Sequence, residues 1–513
     1  MKRLFALFLT FSLLLSGCSY DQERKTGITE IKLSDSKITV DGKEITNDKT
    51  QAVYSDKDIV FYLAGQGFTY GEGEEKDEHE QSEADAHTVV HITKPGRYVL
   101  SGELSLGQIA VDLGEDAKTD PDAVVTLILN GVDVSCKVAP AIIFYNVYEC
   151  SSSDEEGATK DVDTSKAGAN VIIADGSENN VNGSYVARIY KSYELSEDGT
   201  EVVDNKKLHK YDGALYSKMT MNVGGGDKGD GILNINAENE GLNSELHLTI
   251  NGGVINITSG NDGINTNEDN VSVTTINGGR VNILCDGSTG EGDGIDSNGW
   301  LVINGGTVIA QACATSGDAG IDSDKGIYIN GGRVIASGNM LDRIAGGEQT
   351  YAVFKFSLPQ SGSNTYTLKD SLGKTVGVYA PENSFSYLIV AGDELTPGTY
   401  TFWQGETQLS SSQGKNMQDR VPQWERPDSQ NGDGQGKERP FDFSEDIEIE
   451  EIPFGERPQG EKPEFPFGEP PEMSSDLTPP DNKGENMTVR GDTSTDFIII
   501  KGGNQFFNVG PVA

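Results

Sequence analysis

Ile250-Asn251-Gly252-Gly253-Val254-Ile255 closes one short apolar run and opens the next. The same arrangement returns as Ile276-Asn277-Gly278-Gly279-Arg280-Val281, Ile303-Asn304-Gly305-Gly306-Thr307-Val308 and Ile329-Asn330-Gly331-Gly332-Arg333-Val334. The asparagines lie 26, 27 and 26 residues apart, with aliphatic residues at matching offsets on both sides. No helix-length pattern intervenes. A period of this size made of short β-rich runs predicts a stack of similar repeats. A glycine- and asparagine-rich linker would not hold Ile and Val at fixed distances from each turn.

A second series keeps the same phase. Gly241-Leu242-Asn243-Ser244, Gly263-Ile264-Asn265-Thr266, Gly294-Ile295-Asp296-Ser297 and Gly320-Ile321-Asp322-Ser323 read as one motif, with Ala214-Leu215-Tyr216-Ser217 as a divergent earlier copy. Their spacings of 27, 22, 31 and 26 place the insertions at one corner of the repeat. Each repeat then holds roughly three short strands, and equivalent strands stack about 4.8 Å apart. Leu242, Ile264, Ile295 and Ile321 should form an inward ladder. Glycine at the turns supplies positive φ, and asparagine is the next most tolerant residue there.

Oxygen-bearing side chains fall into register around this ladder. One row is Glu240, Asp262 and Asp293; a second is Asn243, Asn265, Asp296 and Asp322; a third is Glu245, Asn267, Asn298 and Asp324. Asp230 and Asp318 lie in adjoining turns. Carboxylates stacked at strand spacing repel one another unless a cation neutralises them. Clusters of Asp, Asn and main-chain oxygen suit Ca2+, and the lack of imidazole or thiolate disfavours zinc and copper. The expected metal ligands are Asp230, Asp262, Asn265, Asp293, Asp296, Asp318, Asp322 and Asp324. Some of these residues also cap turns, as Asx side chains do at such corners.

Composition narrows the partners. Lys plus Arg number 40 against 81 Asp plus Glu, a net charge of −41. Such a charge argues against nucleic acid and anionic membrane surfaces as partners. Lys2 and Arg3 precede an apolar run from Leu4 to Leu15, followed by Ser16-Gly17-Cys18. The run is a signal-peptide core, too short to span a membrane. It resembles a bacterial lipoprotein signal whose terminal cysteine, here Cys18, carries the lipid. The expectation is an exported, monomeric body anchored to the cell membrane or envelope. Of the remaining cysteines, Cys285 and Cys313 lie 28 residues apart, about one repeat, so a disulfide between neighbouring repeats is open.

The runs Val125-Thr126-Leu127-Ile128-Leu129-Asn130-Gly131-Val132-Asp133-Val134 and Asp212-Gly213-Ala214-Leu215-Tyr216-Ser217-Lys218, with the Asn-Gly-Gly series, resemble a bacterial family of calcium-binding, carbohydrate-binding proteins. Members of that family are polysaccharide-lyase-like in fold and bind cellulose and polygalacturonate. The resemblance covers roughly residues 88–406 and the final strand. It implies an all-β fold, a right-handed single-stranded parallel β-helix with calcium along one face. The expected layout is a signal peptide (1–18), an N-terminal segment, partly disordered (19–87), and the β-helix (88–346). An antiparallel β cap (347–406), a disordered Pro/Glu/Gly-rich insertion (407–487) and a C-terminal strand pairing with the cap (488–513) follow.

Three functional readings come from these residues. In the first, calcium on the Asp/Asn face bridges to the carboxylates of an acidic polysaccharide, and Tyr216 stacks on a sugar ring. In the second, a calcium-dependent polysaccharide lyase removes the proton α to a uronate carboxylate, with Lys218 or Lys325 as the base. A structural surface adhesin without sugar specificity is the third.

Overall fold

In the computed structural model, the described residues are 27–57, 59, 79, 81–185, 190–196, 199–200, 202–207, 211–413 and 493–512. They belong to a compact unit of residues 1–419 and 491–513; a second unit, 420–490, lies outside them. So do Cys18 and nearly all of the Pro/Glu-rich tract. The described chain is nearly all β, in large mixed sheets with no closed barrel, and its α-helix is the short Gln81–Ala86.

Three columns of parallel strands organise residues 88–346. The first runs through Ala169–Ile173, Met221–Gly225, His247–Ile250, Val273–Ile276, Trp300–Ile303 and Gly326–Ile329. The second runs through Glu178–Gly183, Ile232–Ala237, Val254–Ser259, Arg280–Cys285, Thr307–Gln311 and Arg333–Gly338. The third runs through Thr88–Ile92, Gly107–Asp112, Ile142–Asn146, Gly213–Ser217, Glu240–Ser244, Ile264–Thr266 and Ile295–Ser297. Each Asn-Gly-Gly triplet is the corner between the first and second columns.

Register follows the apolar repeat. Ile250, Ile276, Ile303 and Ile329 are paired neighbours in the first column, and Ile255, Val281, Val308 and Val334 are paired neighbours in the second. All eight are fully buried. Each side chain of this kind contributes about 1.5–3 kcal/mol of burial, and a one-residue slip would turn a whole set outward. At the corners, the second glycine of each triplet has φ between 79° and 91° (Gly253, Gly279, Gly306, Gly332), where a Cβ is disfavoured. The triplet asparagines bond to one another outside: Asn277 Nδ2 donates to Asn251 Oδ1 at 2.9 Å, Asn304 to Asn277 at 2.9 Å and Asn330 to Asn304 at 2.8 Å.

Beyond Gly346 most strand pairings are antiparallel. Phe385–Ala391 pairs with Arg333–Gly338 and with Tyr351–Gln360, covering an edge that the last repeat would leave open. Phe497–Ile499 pairs with Gly398–Gln404, and Gly503–Pro511 lies parallel to Tyr351–Gln360. An aromatic core holds this part together. Phe354 stacks on Phe402 at 4.3 Å and on Phe506 at 5.4 Å. Tyr190–Leu195 and Val202–Lys207 form a separate antiparallel pair.

Candidate functional site: the oxygen ladder of the third column

Leu215, Leu242, Ile264 and Ile295 are register partners and fully buried, which turns the flanking positions of each strand the other way. The glycine before Leu242, Ile264 and Ile295 is required by space. A Cβ on Gly263 would lie 2.1 Å from Ile283 Cγ2 and 2.6 Å from the carbonyl oxygen of Gly294. The hydroxyl after it turns the chain: Ser217 Oγ donates to Met219 O at 2.6 Å and Ser297 Oγ to Trp300 O at 2.9 Å. Sequence reading placed these hydroxyls in the motif without giving them a task.

Glu240, Asp262 and Asp293 stack as expected: Gly241 N donates to Asp262 O and Gly263 N to Asp293 O, both at 3.0 Å. Asn243, Asn265 and Asp296 are direct register partners. In the third row, Glu245, Asn267, Asn298 and Asp324 each donate a main-chain N–H to the preceding repeat. Lys218 heads this row, its own N–H reaching Phe144 O at 2.9 Å.

The amides are oriented by the acids. Asn265 Nδ2 donates to Glu240 Oε1 at 2.9 Å and to Asp262 Oδ2 at 3.1 Å. Asn267 Nδ2 donates to Asn243 Oδ1 at 3.2 Å and Glu245 Oε1 at 3.3 Å. Asn243 Nδ2 also donates to Glu240. An amide with both donors committed to acceptors must turn its carbonyl away. Asn265 Oδ1 and Asn267 Oδ1 then have no hydrogen-bond partner, although each residue is only 5% exposed. A buried acceptor in that state costs about 1–3 kcal/mol.

Burial decides the electrostatics. Asp262, 8% exposed, is pushed well above the usual carboxylate range by desolvation, then by the charges of Glu240, Asp296 and Asp293. Asp293 is raised to about 8 by desolvation, against the donated Ala319 N–H, with Asp322, Asp296 and Asp318 adding repulsion. Asp322 is raised to about 7 by desolvation, then by Asp342, Asp296 and Asp324. Asp342, which follows the last repeat and carries no periodic signal, was missed by sequence reading; its Oδ2 accepts from Ser323 N at 3.2 Å. The ladder is closed at Glu240, Asn243 and Asn265 and opens toward Asp296, Asp322 and Asp324.

The donor set fits a hard cation: all oxygen, with two orphaned amide carbonyls beside acids that resist ionisation. Among the described residues no three carboxylate, imidazole or thiolate groups form a metal cluster by themselves. Ligation would therefore draw on Asn265 and Asn267 and on main-chain oxygens, with the carboxylates of Asp262, Asp293, Asp296 or Asp322.

Other expected residues are placed elsewhere or differently. Asp230 belongs to the corner between the first and second columns, where its Oδ1 accepts from Gly176 N at 2.8 Å; it is not part of the ladder. The spacing could not tell which corner its loop occupied. Asp318 Oδ2 accepts from Gly292 N at 2.6 Å and from Ser316, pinning the neighbouring repeat beside Asp293. Tyr216 is 0% exposed, its OH donating to Glu245 Oε1 at 2.7 Å and its ring edge-on to Tyr211 at 5.0 Å, so it offers no face to a sugar. The register that makes Leu215 inward was expected to turn its neighbour out, but Tyr211 packs over it.

Lys218 is partly buried, its Nζ 4.2 Å from the centroid of the Tyr145 ring. Desolvation, then Lys118, lowers its pKa to about 8, against the attraction of Glu115, Glu245 and Asp112. Lys325 is a partly exposed partner of Glu155, 3.9 Å away. Cys285 and Cys313 are free thiols, as are Cys136 and Cys150. No helix among the described residues is long and apolar enough to cross a membrane.

Comparison with known proteins gives three findings. A family described as "Carbohydrate-binding domain-containing protein" matches residues 86–353. A protein of the same description from Acetivibrio thermocellus is 30% identical over 166 residues, 32% of this chain and 43% of that protein. The chain thus spans less than half the length of this relative. A solved structure described as the polysaccharide lyase-like protein from C. thermocellum, a gadolinium derivative, is 19% identical. Its alignment covers 62% of this chain and 98% of that one, with a TM-score of 0.32.

Proposed function

The chain belongs to the family of carbohydrate-binding domain-containing proteins, and from that premise we propose that it binds an acidic polysaccharide in a calcium-dependent manner. The three strand columns are, in this reading, the faces of a right-handed parallel β-helix, and the protein is exported and held to the cell envelope by a lipid on Cys18. Polygalacturonate is the first ligand to test, and cellulose the neutral counterpart.

The observation that carries the reading is the pair of orphaned carbonyls, Asn265 Oδ1 and Asn267 Oδ1, set among buried acids. Calcium, when bound, supplies positive charge to these oxygens and a bridge to carboxylates of the polymer. The chain's part is to hold Asn265 and Asn267 by their amide donors, and to present Asp296, Asp322 and Asp324 where the ladder opens to solvent. A periodic row of donors matches a ligand that is itself periodic. The test is retention of the full-length protein on polygalacturonate and on cellulose, with calcium and with a chelator. Absence of binding in every arm sinks the proposal; equal binding with and without chelator removes the calcium dependence.

One observation favours a second reading, a lyase. Lys218, with its pKa lowered to about 8, is partly neutral near neutral pH and so competent to accept a proton. Formation of unsaturated uronate product, followed by absorbance for the wild type and Lys218→Met, decides this; no product from the wild type ends it.

A further inference from the structure

The sheet that follows the repeats has an outer face with its own chemistry. Tyr366, Leu368, Tyr400, Phe402, Phe497 and Ile499 point into the aromatic core. Alternation turns Thr367, Lys369, Thr399, Thr401, Trp403 and Ile498 to the other side. Cross-strand pairing assembles them into rows. Val378, Thr367, Trp403 and Gln408 form one row across four strands; Thr375, Lys369 and Thr401 form the next; Thr399 and Ile498 pair beyond it.

Trp403 is partly exposed, its Nε1 donating to Thr401 Oγ1 at 3.0 Å. Lys369 Nζ lies 4.4 Å from the ring centroid. Among the described residues, Lys369 makes no salt bridge. An indole bordered by threonine hydroxyls and a glutamine amide has the two halves of pyranose recognition: an apolar plate for the C–H face and donors and acceptors for the hydroxyls. Val378 and Ile498, each 50% exposed, frame the plate with small apolar surface, less than a protein interface core would present.

We propose that this outer face is a second saccharide-binding surface, with Trp403 as the stacking platform and Lys369 as the partner of a sugar carboxylate. The ligand class is an acidic polysaccharide, because Lys369 is a cation without an acidic partner in a chain of net charge −41. An exposed cation–π contact is weak, so the ammonium can exchange the ring for a carboxylate and leave the indole to the sugar. This surface needs no metal. The inference rests on the carbohydrate-binding reading, and it moves the stacking role from buried Tyr216 to a residue beyond the matched family region.

The experiment is calorimetric titration of oligogalacturonate and of cello-oligosaccharide into the full-length protein, in chelator and in calcium, for the wild type, Trp403→Ala, Lys369→Gln and Thr367→Val. All three substitutions are on the outer face, away from the core. The expected result is loss of about tenfold or more in affinity for Trp403→Ala. Lys369→Gln should weaken oligogalacturonate alone and reduce the salt dependence of its binding. Wild type and all variants binding alike in calcium, with none binding in chelator, overturns this inference and leaves the ladder reading intact. A wild type that binds neither saccharide under any condition overturns both.

Discussion

Replacing Asp293 by Asn should change stability in opposite directions with and without calcium. Asp293 Oδ1 accepts the Ala319 N–H, and an amide keeps that acceptor and nearly the same shape. What changes is charge. The carboxyl has a pKa of about 8 in the fold, against about 3.9 in the unfolded chain. A raised carboxyl favours the folded state at low pH. The native state binds the extra proton between about pH 4 and 8, so stability falls as pH rises through that window. At pH 7 the cost of keeping the proton is about three units at 1.4 kcal/mol each, a ceiling of about 4 kcal/mol. Water at this part-exposed site recovers some of it, leaving about 2–4 kcal/mol. Asp293→Asn should therefore melt several degrees higher than the wild type in chelator at pH 7. In calcium the order should reverse if the proposed calcium site draws on this carboxylate, since the substitution removes its charge. Thermal melts of both proteins, with and without chelator, between pH 5 and 8, are the assay. An Asn variant less stable than the wild type in chelator would refute the electrostatic argument for the ladder.

Three further outcomes follow from the same structure. Ile264→Ala removes a fully buried rung between Leu242 and Ile295 and should cost about 2–5 kcal/mol by denaturant titration. Gly279→Ala should destabilise by more than the usual 1–2 kcal/mol for a left-handed residue, since φ is 83° and the new Cβ would sit 2.6 Å from Gly253 O; an unchanged melting curve would contradict it. His247 accepts Val273 N–H on Nδ1 at 3.0 Å and is held neutral by burial, its pKa lowered to about 4. Its contribution to stability should fade as pH drops from about 6.5 toward 4, and its imidazole NMR signals should titrate near the lower value.

The repeat was legible because its restraints are local and multiplied. One Ile at one offset means little, but four at the same offset define which residues pair, and the pairing of Ile250 through Ile329 follows. The acidic rows came with that register, since a side chain two positions from a known inward residue has a known direction. Asp342 was invisible because it joins the ladder from outside the period. Tyr216 was misread because its cover, Tyr211, lies before the strand and belongs to no repeat.

By itself, the sequence determined the phase of the stack, the corners made by Asn251, Asn277, Asn304 and Asn330, and the alignment of Asp262 with Asp293 and of Asn265 with Asp296. Periodic positions constrain one another, so their geometry is written in spacing. Only tertiary structure decided that Asn265 and Asn267 turn unpaired oxygens into a buried site, that Lys218 packs against the Tyr145 ring, and that Trp403 shares a face with Lys369. Those facts depend on burial and on contacts between segments without a common period, and burial is a property of everything packed around a residue.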